Sequence, residues 1–187
     1  MEEICWQGPF SWSGFEQTNR LTTMPDIKGV YLHSFEYNDG YILCSPGITT
    51  STRKRFSQHT RAFFKGKYNV LDIEAAKIGK RKEIWHGWGY AKAHQDEFEQ
   101  RKEFILQAVN KQLLAYRLFI AEVSEERKRE RIEASIMISI YASKGTCWNN
   151  IADEGMHKIP RKDWETTIEL RNCCDYKIYG LPVILEV

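Results

Sequence analysis

The chain contains no uninterrupted run of about 18 apolar residues, which a membrane-spanning helix requires. Its first residues, Met1-Glu2-Glu3-Ile4-Cys5, are acidic and lack the apolar stretch of a secretory signal. The chain also has no low-complexity tract, so a disordered protein is not indicated. Together these absences predict a folded cytoplasmic protein without a membrane partner.

Common metal-binding and catalytic motifs are missing as well. The five cysteines are irregularly spaced, form no Cys-x-x-Cys pair and never combine with histidines at zinc-like spacing. The sequence has no Gly-x-x-x-x-Gly-Lys phosphate loop, no Gly-x-Ser-x-Gly elbow and no His-Glu-x-x-His. We therefore expect reduced thiols and no structural zinc, and the enzyme classes defined by those motifs have no support.

The composition that is present is typical of one folded domain. Apolar residues make up 42% of the 187 positions and charged residues 28%, which is enough to bury a hydrophobic core. The chain shows no internal repeat. A single domain over residues 1–187 is therefore expected.

The first half of the chain predicts a hairpin followed by a helix. The β-rich stretches 29–35 and 41–44 flank Asn38-Asp39-Gly40, a strong hairpin signal. Ser51-Thr52 then provides a good N-terminal cap for an amphipathic helix over 53–64. The local order is strand, strand, helix.

Weaker signals place the remaining elements. They are an irregular aromatic arm over 1–26, a strand over 68–73, a helix over 73–78, a strand over 83–85, a long amphipathic helix over 96–121, a second long helix over 124–144 and a terminal strand over 181–185. The elements together predict an α/β (α+β) fold with a small antiparallel β-sheet flanked by helices.

Positive charge is concentrated in one segment. Residues 53–82 contain ten lysines and arginines against two acidic residues, a net charge of +8, with aromatic residues interleaved. Clustered cations of this kind neutralise backbone phosphates, although a solvated charged face has a similar composition. The candidate DNA-contacting residues are Arg53, Lys54, Arg61, Lys65, Lys67, Lys80, Arg81 and Lys82.

One carboxylate lies on an apolar helix face. Glu133 shares the stripe of Ile136, Met137 and Ile140, because residues three and four apart lie on the same side of a helix. A buried charged carboxylate needs a cation or a proton to offset its lost hydration. The two interpretations of Glu133 are a salt bridge to an arginine and a metal ligand.

Five landmarks occur in a recognisable order. They are Gly29-Val30-Tyr31 on the first strand, Gly47 before Ile48-Thr49 on the second, Arg55 and His59 on the next helix, Glu133 on the second long helix, and Asn149-Asn150-Ile151-Ala152-Asp153 after it. Over residues 28–153 this set resembles the GIY-YIG family of metal-dependent endonucleases. Within the single domain, residues 28–153 would form the family core, 1–27 an N-terminal arm and 154–187 a C-terminal extension.

The resemblance has departures. Ser45 holds the place usually occupied by the second tyrosine, and the nearest tyrosine, Tyr41, lies six residues before Gly47 instead of two. Either the hairpin is longer and Tyr41 has no catalytic part, or the strand is bulged and Tyr41 still reaches the site; we favour the first. The interval 67–94 exceeds that of a minimal family domain, and we interpret part of the basic segment as an insertion that grips DNA.

The resemblance implies a role for each landmark. Glu133 would hold one Mg²⁺ or Mn²⁺ ion, and Arg55 would clamp the scissile phosphate through its planar guanidinium. Tyr31 and His59 would transfer protons during activation of water. Asn150 would position the site through hydrogen bonds.

Each assignment has an ordinary alternative. Tyr31 can be a half-buried strand aromatic, His59 an exposed helix residue and Asn150 a turn residue. Arg53 can replace Arg55, but Arg55 is four residues before His59 and shares its helix face, whereas Arg53 does not. We therefore select Arg55.

The sequence thus predicts an endonuclease that cleaves double-stranded DNA with a divalent metal, of a restriction-type or phage-borne kind. A palindromic target would imply a homodimer. One rival hypothesis is a nucleic-acid-binding module that kept the fold and lost catalysis. Another is a structural protein in which Glu133 pairs with an arginine; it predicts weak DNA binding with little salt dependence.

Overall fold

The computed structural model describes residues 2–153 and 160–187. The predicted C-terminal extension therefore falls partly outside the described residues, because 154–159 are not among them. Within the described ranges, the strands are β1 (Glu2–Phe10), β2 (Gly29–Tyr37), β3 (Gly40–Thr49), β4 (Val70–Leu71), β5 (Glu83–Trp85), β6 (Arg117–Glu122), β7 (Glu169–Cys174), β8 (Ile178–Tyr179) and β9 (Ile184–Glu186). The helices are α1 (Glu16–Asn19), α2 (Thr52–Phe64), α3 (Ile73–Ala76), α4 (Trp88–Ala93), α5 (Gln95–Gln100), α6 (Lys102–Ala115), α7 (Glu126–Ala142) and α8 (Cys147–Ile151).

Seven of the strands form one mixed sheet in the order β8-β3-β2-β6-β1-β7-β9, and β4 pairs with β5 separately. Most neighbours run antiparallel, but β1 is parallel to β7 and β3 is parallel to β8. The α+β class is confirmed. The prediction of a small, purely antiparallel sheet is wrong, because the terminal segments add strands at both edges and in the interior of the sheet.

The predicted hairpin and the helix after it are confirmed. Asn38 adopts a left-handed conformation (φ 48°) in the turn that joins β2 to β3. Ser51 caps α2 by accepting a hydrogen bond from the backbone N–H of Lys54, which satisfies one of the donors left open at a helix start. The short strand at 83–85 and the helix over most of 124–144 are also present.

The N-terminal arm begins with a strand, so the prediction of an irregular segment is wrong for residues 2–10. In β1, Ile4 and Trp6 are buried while Glu3 and Cys5 are exposed, which is the alternation of a strand with one face on the core. Its neighbours are β6 on one side and β7 on the other. The strand partner in β7 is about 170 residues away, so local sequence carries no sign of the pairing.

The predicted helix over 96–121 is also wrong at its C-terminal end. The chain forms α5 and α6 and then changes direction into β6, whose residues Leu118, Phe119 and Ile120 are fully buried. Consecutive buried residues are typical of a strand that is covered on both faces. The prediction was wrong because Tyr116 and Ile120 continue the helical spacing of the residues before them. Strand β6 lies between β1 and β2 in the middle of the sheet.

The sheet separates two hydrophobic clusters. Tyr31 and Phe35 of β2 pack into the cluster that includes α2 and α6, whereas Val30 and Leu32 pack into the one that includes α7. This alternation follows from the two-residue period of a strand. None of the helices in the described part of the chain has the length and apolar character that crossing a membrane requires.

Candidate active site

A pocket of about 320 Å³ brings together residues from β2, β3, α2 and α7. Four of the five residues predicted to be catalytic line it: Tyr31, Arg55, His59 and Glu133. The remaining lining residues are His33, Ser45, Pro46, Gly47, Phe63, Tyr68, Asn69, Trp88, Tyr116, Met137 and Asp153. Residues more than 100 positions apart in the sequence thus meet at one cavity.

Tyr31 stands at the centre of a hydrogen-bonded chain. Its hydroxyl lies 2.8 Å from Nε2 of His59 and accepts a hydrogen bond from Nε of Arg55 at 3.2 Å. The ring is buried, and its partner across the β2–β3 ladder is Gly47. A Cβ atom at position 47 would come within 2.3 Å of the Tyr31 hydroxyl, so only glycine leaves room for the ring.

Helix α2 delivers Arg55 and His59 to the same side. Because the two residues are four apart, they lie one above the other on the helix. Phe56 and Phe63 anchor the helix in the core, and His59 is buried beside them. Arg53, the alternative to Arg55, has an 83% exposed side chain and pairs with Asp26, away from the pocket lining.

The electrostatics of the pocket keep the tyrosine protonated and the histidine neutral. Burial raises the pKa of Tyr31 to about 12, with Arg55 acting in the opposite direction. Burial, together with His33 and Arg55, lowers the pKa of His59 to about 2. In the tautomer whose Nε2 carries no proton, neutral His59 accepts a hydrogen bond from the Tyr31 hydroxyl, and the donors then run from Arg55 through Tyr31 to His59.

Glu133 enters the pocket from α7 and is 4% exposed. Its negative charge acts on both Tyr31 and Arg55. Burial lowers the pKa of Arg55, but Tyr31, Tyr68 and Glu133 together outweigh that effect and raise the pKa. The carboxylate is therefore electrostatically coupled to the hydrogen-bonded chain. Carboxylate oxygens suit the hard ions Mg²⁺ and Mn²⁺, so the donor chemistry at Glu133 fits the metal that the sequence predicted.

A second group of potential ligands lies elsewhere. Side-chain atoms of Glu3, Cys5 and Cys173 lie within 4.8 Å of one another on the β1–β7 pair. Thiolates prefer softer metals than magnesium. This group therefore has no bearing on the predicted Mg²⁺ site.

The pocket also contains polar residues to which no catalytic role was assigned from the sequence, although Asp153 ends the asparagine motif. His33 is two residues after Tyr31 on the same strand face, is 7% exposed, and has its Nδ1 3.1 Å from the hydroxyl of Ser45. Its Nε2 makes no hydrogen bond within the described residues. Asn69 and Asp153 are joined by a 3.3 Å hydrogen bond. The two-residue period of a strand could have indicated His33, whereas the other two depend on long-range folding.

Asn150 and Tyr41 do not join the pocket. Asn150 is exposed on α8, and the neighbouring Asn149 donates its side-chain hydrogen bond to the carbonyl of Ile140. Tyr41 packs against Phe119 in the cluster on the α7 side of the sheet, whereas Tyr31 belongs to the other cluster. Strand β3 is bulged, because its pairing with β2 passes from Ser45 to Leu43 and skips Cys44, as the second interpretation of the hairpin supposed. The bulge does not bring Tyr41 into the pocket.

The candidate DNA-contacting residues divide into two groups. Most are exposed, namely Arg53, Lys54, Arg61, Lys65, Lys67, Lys80 and Lys82. Arg81 differs, because its guanidinium pairs with Glu83 at 2.6 Å and Asp153 at 3.1 Å. It also donates hydrogen bonds to the carbonyls of Ile151 and Ala152. Arg81 thus fastens the end of α8 to the segment before β5 and is occupied by the protein itself.

Comparison of the chain with protein-family models, with curated proteins and with solved structures finds no match.

Proposed function

We propose that the protein is a metal-dependent endonuclease of the GIY-YIG type that hydrolyses phosphodiester bonds in double-stranded DNA. The observation that carries this proposal is the convergence of Tyr31, Arg55, His59 and Glu133 in one pocket. These residues come from three separate elements. Such a set supplies a phosphate-binding cation, a proton acceptor and a carboxylate, which are the groups that phosphodiester hydrolysis requires.

Arg55 would bind a non-bridging oxygen of the scissile phosphate. Its Nε is engaged by Tyr31, which fixes the orientation of the guanidinium while leaving the other nitrogens available to the substrate. The guanidinium stays charged at any physiological pH, so it can stabilise the extra negative charge of the transition state.

The Tyr31–His59 pair would move the proton from the attacking water. Water would lose a proton to the Tyr31 oxygen as Tyr31 passes its own proton to Nε2 of His59. The hydroxide oxygen forms the new bond to phosphorus, the bond to the leaving sugar oxygen breaks, and that oxygen takes a proton from solvent. A phosphate bound nearby would raise the pKa of His59 from its low value in the free protein and strengthen it as an acceptor.

Glu133 would hold Mg²⁺ or Mn²⁺, which when bound supplies Lewis-acid stabilisation of phosphate charge. The side chain itself contributes a carboxylate that is buried in the lining of this pocket. Within this class, the specific proposal is a restriction-type or phage-borne nuclease, and a palindromic target would imply a homodimer.

The test is cleavage of mixed genomic DNA with Mg²⁺ and with EDTA, comparing the natural chain with Glu133→Gln. Glu126→Gln is the matched control, because Glu126 is exposed on the same helix and makes the same change in charge. We expect discrete metal-dependent fragments that disappear in Glu133→Gln and persist in Glu126→Gln. A folded chain that binds DNA without cutting it would contradict the proposal.

That contradicting result would favour the inactive binding module. Ser45 at the usual place of the second tyrosine is the observation that supports this rival. The two hypotheses differ in what the pocket residues do. In a nuclease, cleavage depends on Glu133 and Arg55, whereas in a binding module DNA affinity depends on surface cations.

A further inference from the structure

A second cavity of about 680 Å³ opens next to the catalytic pocket. Tyr68 and Trp88 line both cavities, with their ring centroids 5.1 Å apart, so they form the wall between them. The groove, as we call this second cavity, runs along the end of α2 and the surfaces of α4 and α5. Any DNA strand that leaves the catalytic pocket on this side meets the groove first.

The groove combines aromatic surface with positive charge. Its aromatic lining consists of Phe64, Tyr68, Trp85, Trp88 and Phe98. Its charged lining consists of Lys65, Lys67, Lys92, Lys102 and Glu99. Glu99 is engaged by Lys102 at 2.9 Å, which leaves three exposed lysines to face solvent. Surfaces that bind single-stranded nucleic acid commonly combine lysines, which contact the phosphates, with aromatic rings, on which the bases stack.

Trp88 is the residue that sets the groove apart from an ordinary surface. The residue is 53% exposed, and its backbone is left-handed, with φ 54°. A bulky side chain is unfavourable in that region of the backbone, where glycine would fit without strain. An exposed ring on a backbone that disfavours it is an outlier of the kind that points to a binding role more than to a packing role.

The surrounding backbone holds Trp88 in place. The N–H of Trp88 donates to the carbonyl of Lys67 at 2.8 Å, and the N–H of Gly87 donates to the side chain of Asn69 at 2.7 Å. A Cβ at Gly87 would lie 2.4 Å from the backbone of Tyr68, so the approach of the two segments requires glycine. Asn69 also lines the catalytic pocket, which links the position of the indole to the pocket.

We propose that Trp88 stacks on the base of an unpaired nucleotide next to the scissile phosphate, while Lys65, Lys67 and Lys92 contact the phosphates of the same strand. In a continuous duplex both faces of every base are covered by neighbours, so an exposed indole has nothing to stack on. The preferred substrate is then duplex DNA that carries an unpaired stretch at the cut. This inference rests on the proposed function for the place of the cut, but its binding step needs no catalysis.

The test measures binding in EDTA, where metal-dependent cleavage cannot occur. The probes are a continuous duplex and the same duplex with one bulged 2-aminopurine, a base whose fluorescence is quenched when it stacks. We expect the natural chain to quench the bulged probe and to bind it more tightly than the duplex. Trp88→Leu should abolish the quenching and lose roughly 10- to 100-fold in affinity for the bulged probe only.

Two further variants separate stacking from folding. Trp88→Gly removes the ring and suits the left-handed backbone, so it should lose the same binding without lowering the melting temperature. Trp164→Leu is the matched control, because Trp164 is 79% exposed and lines neither cavity. The lysine contribution is measured with the triple variant Lys65→Gln, Lys67→Gln and Lys92→Gln, which should reduce the slope of log affinity against log salt by about 2.

The outcomes distinguish this proposal from the nuclease itself. Unchanged binding of the bulged probe by Trp88→Leu, or an equal loss on both probes, would overturn the stacking role even if the chain cuts DNA. Trp88-dependent binding of the bulged probe by a chain that never cleaves would support the groove while contradicting the nuclease.

Discussion

Gly47 lies directly opposite Tyr31 in the β2–β3 ladder, and a Cβ atom there would fall 2.3 Å from both the hydroxyl oxygen and the ring carbon that carries it. Nonbonded atoms do not approach so closely, so the tyrosine can keep its place only while residue 47 has no side chain. The glycine on the second strand and the tyrosine on the first are therefore one structural unit. The hydrogen bonds of Tyr31 to His59 and Arg55 depend on that unit.

Substituting Gly47→Ala should displace the Tyr31 ring and break its hydrogen-bonded chain. We expect DNA cleavage to fall by about 100-fold or more, because a misplacement of about 1 Å at a reacting group can have that effect. The free energy of unfolding should fall by about 1–3 kcal/mol through overpacking. Initial cleavage rates and urea unfolding curves measure the two effects.

The matched control for that substitution is Gly89→Ala, since a Cβ at position 89 meets no atom within 4 Å. Its cleavage rate should stay within about twofold of the natural chain, and alanine favours the helix slightly over glycine. Equal cleavage by Gly47→Ala and the natural chain would show that the position of Tyr31 does not matter for catalysis.

Arg55→Lys tests the guanidinium separately from its charge. Lysine keeps the positive charge but loses the planar donors, including the Nε that binds Tyr31. We expect cleavage to drop by roughly 100-fold, as for loss of one donor to a transition state, while DNA affinity changes by less than about threefold. Arg53→Lys, at an 83% exposed side chain, should leave both unchanged. A loss of affinity that fully accounts for the slower cleavage would instead assign Arg55 to binding.

The parts of the site that the sequence predicted are those set by local structure. The hairpin follows from local strand and turn signals, but Tyr31 was selected because the resemblance to the GIY-YIG family implies its role. The shared helix face of Arg55 and His59 follows from their spacing. The inward position of Glu133 was predicted from the apolar residues that share its helix face. Helical periodicity defines that face without knowledge of the element that packs against it. All four of these residues line the pocket.

The parts that were missed depend on contacts distant in sequence. Strand β1 pairs with β7 across most of the chain, and β6 becomes a central strand only because β1 and β2 flank it. Asp153 reaches the pocket through its hydrogen bond with Asn69 and its ion pair with Arg81. Neither a hydrophobic period nor a cap signal records such pairings, since both describe neighbours along the chain.

Arg81 provides a test of the structural role that the sequence analysis did not foresee. Its side chain is 20% exposed and joins Glu83, Asp153 and two backbone carbonyls. Arg81→Ala leaves those groups without their cation, so the free energy of unfolding should fall by about 2–4 kcal/mol. Lys82→Ala removes the same charge from the next position, where the side chain is 70% exposed, and should cost less than about 1 kcal/mol.

Urea unfolding curves measure the free energy of unfolding of the two variants. DNA affinity, measured over a range of salt concentrations, shows whether either side chain also contacts phosphate. If Arg81 is occupied by the protein, its loss should change DNA affinity no more than the loss of Lys82 does. If Arg81→Ala and Lys82→Ala are equally stable and Arg81→Ala binds DNA more weakly, Arg81 contacts phosphate as the sequence predicted.

The two buried histidines predict an acid-sensitive fold. Burial, with a contribution from Arg55, lowers the pKa of His33 to about 3, and burial with His33 and Arg55 lowers the pKa of His59 to about 2. In the unfolded chain both imidazoles bind protons near pH 6.5. The unfolded state therefore takes up protons first as the pH falls, so the stabilisation is complete above pH 6.5 and is lost progressively below it.

Each histidine should contribute a slope of up to about 1.4 kcal/mol per pH unit below pH 6.5, in a range where most carboxylates have not yet titrated. The measurement is the free energy of unfolding in urea between pH 7 and pH 5. His33→Gln should be less stable at pH 7, because it disturbs the packing against Trp12 and Tyr116, yet lose less stability on acidification. If the slopes of His33→Gln and the natural chain are the same, His33 is protonated in the folded protein and the pocket is more open to water than its burial implies.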